Sequence, residues 1–402
     1  MEWFRVSSSL RIVVLGYIVR GPIGGLVWHH LQYVMGLARL GHDVYFLEDS
    51  DDYPSCYDPQ RQTTDQNPDY GLRFAALAFE QVGLGERWAY YDAHTTRWLG
   101  PCASRTAEIC RSADLLLNLS GVNPMRPWFL QVPHRVLVDT DPVFTQVRHL
   151  TDIASRETAL QHTAFFSFGE NIGSDIGRIP DDQLNWLPTR QPVVLDVWPL
   201  TPGPRNGKFT TVMQWDSYQS RAYDGVEYGM KSASFQPFIE LPGSTGQALE
   251  LALGSDAAPR QQLLEAGWSL RNPLEVTRDP SSYQNYILQS KAEFSVAKHG
   301  YVVSRSGWFS ERSTCYMASG RPVLVQETGF SEWLKSDAGV VAFSTPEEAI
   351  AGIEAINSDY EYHCQRALEL VHTYFDAKDV LSTLIRCVYS TSRKPDEGER
   401  TD

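Results

Sequence analysis

The sequence predicts two doubly wound, Rossmann-like α/β domains facing a central cleft. Three observations predict it. Short apolar runs alternate with helix-compatible segments, as in parallel sheets covered by helices. The alternation stops at a proline-rich stretch, 177–208, and restarts after it. The 402 residues exceed one ordinary core and suit two domains of roughly 200 each. The expected division is an acceptor-side domain at 1–190, a linker at 191–208, a second domain at 209–375, and a C-terminal helix with a polar tail at 376–402 that packs back on the first domain.

The elements follow in order. "RIVVLGYIV" (11–19) reads as a buried first strand, "GLVWHHLQYVMGLARLG" as a helix ended by Gly41, and "HDVYFLED" (42–49) as a second strand. The polar stretch 50–70 reads as a long surface loop bordering the acceptor pocket, and "LRFAALAFEQVG" as a helix. "ADLLLNLSG" (113–121), "HRVLVDTDP" (134–142) and "TAFFSFGE" (163–170) are further strands. After the connector, "FTTVMQW" (209–215), "FQPFIELP", "GWSLRNP", "AEFSVAK" (292–298) and "RPVLVQETG" read as strands. Helices are expected near 246–254, 259–266, 281–290 and 311–319, over "TPEEAIAGIEAIN" and within 359–389. The tail "STSRKPDEGERTD" reads as polar and disordered.

Composition narrows the function. A formal net charge of -14 supplies no global field for phosphate, so an anionic ligand must be held by local donors and nucleic acid is not an expected partner. Six scattered cysteines without CxxC or zinc-type spacing imply reduced thiols and a cytoplasmic protein. No run approaches a membrane span, and "RIVVLGYIV" lacks the flanks of a signal peptide. Oligomeric state is not legible.

The chemistry concentrates at predicted sheet edges. Gly24-Gly25 lies between the first strand and helix, where glycine admits close approach and amides point at an anion; a plain tight turn is the alternative. His29 and His30 follow near that helix start, where protonation is disfavoured, as candidate bases. Asp139 and Asp141 end a buried strand and are expected to share one face, able to orient an acceptor hydroxyl or take its proton; an Asx turn before Pro142 is the alternative. In the second half, Lys298, Arg305 and Arg312 are the cations expected to neutralise a diphosphate. Ser310, Glu311 and Ser313 sit at the mouth of the next helix, and Thr328-Gly329 adds amides on the same edge. No metal ligand set is suggested.

Two segments carry a resemblance. "GGLVWHHLQYVMGLARLGHDVYFLE" (24–48) is similar to the glycine-glycine loop, histidine and helix of retaining GT-B glycosyltransferases, and "ERSTCYMASGRPVLVQETG" (311–329) resembles their donor-site helix, strand and glycine turn. The resemblance implies metal-independent, cofactor-free transfer of a sugar from a nucleotide-sugar donor in the second domain to a small-molecule or glycan acceptor in the first, with retention favoured. The departure is specific. Where such members carry two glutamates, this chain has Gly307 and Cys315. A degenerate sugar-nucleotide-binding protein and a nucleotide-sugar 2-epimerase are the alternatives. A nicotinamide oxidoreductase lacks its GxGxxG fingerprint.

Overall fold

The structure, a computed structural model, describes residues 9–391. The strands in chain order are β1 Arg11–Leu15, β2 Asp43–Asp49, β3 Cys56–Asp58, β4 Thr63–Asp65, β5 Trp88–Asp92, β6 Arg97–Leu99, β7 Leu115–Leu119, β8 His134–Asp139, β9 Ala164–Ser167 and β10 Trp186–Pro188. They continue with β11 Phe209–Gln214, β12 Arg221–Tyr223, β13 Val226–Tyr228, β14 Leu249–Gly254, β15 Ser269–Arg271, β16 Ala292–Ser295, β17 Val323–Gln326 and β18 Val340–Phe343.

The first sheet runs β10-β9-β8-β7-β1-β2-β5-β6, parallel except for the edge pair β5–β6. The second runs β15-β14-β11-β16-β17-β18, parallel throughout. Strand order reverses between β1 and β7 in the first sheet and between β11 and β16 in the second. Loops diverge at such switch points and leave a crevice at the carboxyl ends of the strands. The central strands are apolar on both faces because helices cover both sides; Leu115–Leu119 is buried at every position.

Three sequence expectations differ from the structure, and one pair of strands had none. "FQPFIELP" is helical, as the end of Lys231–Phe235 and the turns that follow; Phe235 packs on Trp215 and Trp268, and Phe238 on Phe294 and Phe343. Residues 249–254, expected as helix, form β14, buried along its whole length between β11 and β15. The surface loop 50–70 contains the β3–β4 hairpin, and β5–β6 had no sequence reading. The tail beyond residue 391 lies outside the described residues.

The chain passes between the domains twice, side by side. The Val193 N–H donates to the Phe375 carbonyl at 2.7 Å, and the Ala377 N–H donates to the Val193 carbonyl at 2.9 Å. The last helix, Ala377–Thr391, then lies on the first, Gly24–Arg39, where a Cβ on Gly36 would meet Leu381 at 2.6 Å. One apolar cluster includes both sheets: Val14 and Val136 from the first, Val323 and Val340 from the second. Among the described residues no helix is long and apolar enough to cross a membrane.

Candidate active site

The two switch points open onto one cavity of about 600 Å³ between the domains. The first domain contributes Tyr17, Gly25, His29, Ser120 and Asp141, and the second contributes Gln214, Lys231, Lys298 and the start of the Glu311–Ala318 helix. A cavity of this size, shared by two sheets, suits a ligand with two parts.

The Gly-Gly turn is built for contact between domains. The Gly24 amide is already used, donating to the Thr277 carbonyl at 2.7 Å. A Cβ on Gly24 would stand 2.6 Å from the Asp279 carbonyl oxygen. Gly25 reaches the cavity, with Tyr283 3.3 Å from where its Cβ would be. The helix begins at Gly24, so both histidines fall in its second turn, not at its N-terminus. His29 is on the cavity wall; its Nε2 is buried without a partner, and burial holds its pKa below the usual value. His30 is turned into the core, so its reading as a base is corrected. Its Nδ1–H donates to the Leu26 carbonyl at 2.7 Å, and its Nε2 accepts the Tyr17 N–H at 3.2 Å.

The two aspartates do not share a face. β8 ends at Asp139, whose carboxylate accepts from Thr145 Oγ1 and Ser167 Oγ at 2.7 Å, from Gln146 Nε2 at 3.1 Å and from the Asp141 amide at 2.9 Å. Burial pushes this carboxyl up, against those bonds. It is an anchor with its lone pairs occupied. Asp141 points across the cleft to Lys298 Nζ at 2.8 Å, and Tyr218 and Tyr301 donate to the same carboxylate. Burial raises its pKa, but the ammonium and the hydroxyls outweigh that and hold it below the usual carboxylate range.

The predicted cations divide. Lys298 lines the cavity but is engaged by Asp141. Arg312 also lines it, yet its guanidinium is spent on Glu293 at 2.5 Å, Ser295 Oγ at 2.6 Å and the Val212 carbonyl at 3.0 Å. Arg305 lies off the cavity, in a left-handed backbone at φ 45°, and pairs with Glu332 at 2.9 Å. Ser310 caps the helix by accepting the Arg312 N–H at 3.2 Å, and Glu311 lines the cavity from its first turn. Ser313, within that helix, is buried and does not reach the cavity. Thr328 and Gly329 are also off it. They hold the loop together: the Gly307 N–H donates to the Thr328 carbonyl at 2.8 Å, and Asn171 Nδ2 donates to the Gly329 carbonyl at 2.9 Å.

The residue that sequence reading missed is Lys231. It opens the short helix after the β12–β13 hairpin and lines the cavity half-buried, and no acceptor binds its ammonium among the described residues. Burial, with the charges of Arg312 and Lys298, brings its pKa down to about 7. The signal that could have found it was Asp224-Gly225. Both residues have positive φ in the turn between β12 and β13, and Asp-Gly is a strong hairpin mark. Arg148, Tyr218 and Tyr301 on the cavity wall had no sequence reading either.

No family model matches the chain, and no curated protein matches it. Solved structures do. An alpha-glucosyltransferase in complex with UDP-glucose and DNA containing an abasic site aligns over 95% of this chain and 100% of its own, at 10% identity and a TM-score of 0.61. Anabaena HepE in complex with UDP and glucose aligns over 95% and 100%, at 11% identity and a TM-score of 0.54. A glycosyltransferase from Rickettsia africae ESF-5 aligns over 96% and 100%, at 10% identity and a TM-score of 0.51. The expectation that nucleic acid is no partner is corrected here. Proteins of this architecture have been solved with mismatched and HMU-containing DNA, and the net charge of a whole chain does not decide what one local surface takes. At these identities the likeness speaks for architecture alone: the chain has the GT-B fold, two Rossmann-like domains facing one cleft.

Proposed function

We propose that the protein transfers a glycosyl group from a nucleoside-diphosphate sugar to a hydroxyl-bearing acceptor. The observation that carries this reading is Lys231, a cation without an acceptor on the wall of a cavity served by both switch points. The alpha-glucosyltransferase and HepE structures hold UDP, UDP-glucose, or UDP with glucose, which makes a uridine diphosphate sugar the first donor to test.

When the bond from the anomeric carbon to the diphosphate breaks, negative charge grows on the departing phosphate. Lys231 is a fixed donor for that charge, on the same cavity wall as the start of the Glu311–Ala318 helix. Glu311 lies one helical turn before Cys315 on the same face, and its carboxylate has no hydrogen-bond donor among the described residues. We assign it the ribose hydroxyls, in place of the glutamate that Cys315 replaces. Neutral His29 stands across the cavity to orient the acceptor hydroxyl. The Gly-Gly resemblance favours retention, which the anomeric coupling in the product's NMR spectrum tests. No three His, Cys, Asp or Glu side chains converge as a metal-binding group among the described residues, and activity undiminished by a chelator is the expected result. A cytoplasmic setting suits six cysteines that are all unbridged.

The test is calorimetric titration of UDP and UDP-glucose, followed by UDP release with an acceptor panel that includes glycans and DNA. Lys231→Gln is expected to weaken UDP by about tenfold to a hundredfold, the loss of one charge-assisted contact. Unchanged affinity in that variant would remove the donor site from this cavity. Gly307 and Cys315 in place of two glutamates support a second reading, binding without turnover. It would show as tight UDP-glucose binding with no UDP released for any acceptor.

A further inference from the structure

A second cavity of about 250 Å³ opens in the first domain beside the interdomain one. It lies between the ends of β7 and β8 and the helices Phe144–Thr151 and Ile153–Ala159, and it shares Ser120, Asp139, Thr145 and Arg148 with the larger cavity. At ~30 Å³ per water it has room for about eight waters, or for one sugar ring.

Two adjacent residues give this chamber its chemistry. Arg148 is half-buried on the wall of both cavities, and its guanidinium has no ion-pair or hydrogen-bond partner among the described residues. Two other half-buried arginines are engaged: Arg126 holds Asp49 and Asp52, and Arg190 holds Glu170. The acid that feels the charge of Arg148 is Asp152, whose oxygens cap the next helix through Ala154 N, Ser155 N and Ser155 Oγ. His149 is buried, with Nδ1 2.7 Å from Asp182 Oδ2. A carboxylate only accepts, so Nδ1 carries a proton, and no described group is hydrogen-bonded to Nε2. The ring is fixed in place. Trp186 stacks on it at 6.2 Å and 11°, and Asp182 Oδ1 accepts from Trp186 Nε1 at 2.9 Å. The acid that does line the chamber, Asp139, has its oxygens occupied.

We propose that this chamber is an acceptor subsite for an acidic sugar, one monosaccharide unit bearing a carboxylate or a phosphate. Arg148 faces the acid group, bidentate where the geometry of a carboxylate or phosphate allows it. His149 Nε2 hydrogen-bonds a sugar hydroxyl, which can donate or accept. A neutral sugar would leave the guanidinium without a counter-charge, so discrimination comes from the charge. The inference rests on the glycosyl-transfer reading, which seats the acceptor in the first domain.

The experiment titrates glucuronate, glucose 6-phosphate and glucose into the full chain, with and without saturating UDP. It compares wild type with Arg148→Gln, Arg148→Lys and Lys231→Gln. At least one acid is expected to bind, and which one distinguishes carboxylate from phosphate; glucose binds about tenfold weaker or not at all. Arg148→Gln loses about tenfold or more for the acid, Arg148→Lys loses less, and Lys231→Gln keeps wild-type affinity for it. A urea unfolding midpoint of Arg148→Gln equal to that of wild type shows that the variant is folded. Glucose binding as tightly as the acids, no binding by either acid, or a loss that follows Lys231 instead of Arg148 would each overturn the proposal. UDP titrated into wild type is a separate arm. Its failure removes the donor reading and leaves the acid-sugar result to stand by itself.

Discussion

Lys231 sets how the cavity responds to pH. Its pKa is lowered to about 7, because burial and the neighbouring charges of Arg312 and Lys298 penalise the ammonium. A diphosphate restores the balance and favours the protonated form. Binding therefore takes up a proton, and affinity falls as pH rises through about 7. UDP-glucose is the probe to use, since its diester phosphates do not titrate there. Its dissociation constant is expected to rise between pH 6 and pH 8, and the rise should be absent in Lys231→Gln. A slope retained in the variant would assign the titration to another group. This residue also shows the limit of reading a site from sequence. Lys298 and Arg312 were visible because they end a strand or open a helix, yet the chain spends both on Asp141 and Glu293. Lys231 stood beyond an irregular hairpin, where no periodic pattern pointed to it.

At the scale of elements, the first glycine of the Gly-Gly pair is a spacing device. Gly24→Ala sets a methyl 2.6 Å from the Asp279 carbonyl and 3.0 Å from Tyr283 Cβ. Backbone cannot yield as a flexible side chain can, so a loss of about 1–3 kcal/mol is expected in urea unfolding. Loss of less than a few tenths would show that the two helices have slack. Arg321, wholly buried in the "ASGRPV" segment, is a second element-scale device. Its guanidinium donates to the Thr201, Ser319 and Leu288 carbonyls at 2.8–2.9 Å, tying the connector to the second domain. Arg321→Met orphans those acceptors and is expected to cost about 3 kcal/mol in the same measurement. The parallel central strands and the long helices were legible because apolar runs and helical spacing survive any context. β14 was misread as helix because "LELALG" suits both periods until its neighbours are known. The edge pair β5–β6 gave no signal, since its aromatic side chains pack on other aromatics, such as Tyr91 on Trp98, rather than alternating with polar ones.

For the whole molecule, one apolar cluster spans both sheets, and the last helix returns to the first. The two domains are therefore expected to melt together, as a single calorimetric transition whose van't Hoff and calorimetric enthalpies agree. Two resolved transitions would show that the interface contributes little. The paired crossings at Val193 and Phe375–Ala377 have a consequence for engineering. Everything between them is a cassette whose two ends are a hydrogen bond apart. A second domain from another protein of this architecture can be grafted through two short junctions cut at that pair, provided the closing helix stays with the recipient. Such chimaeras would exchange what one half recognises while leaving the other half's partner untouched.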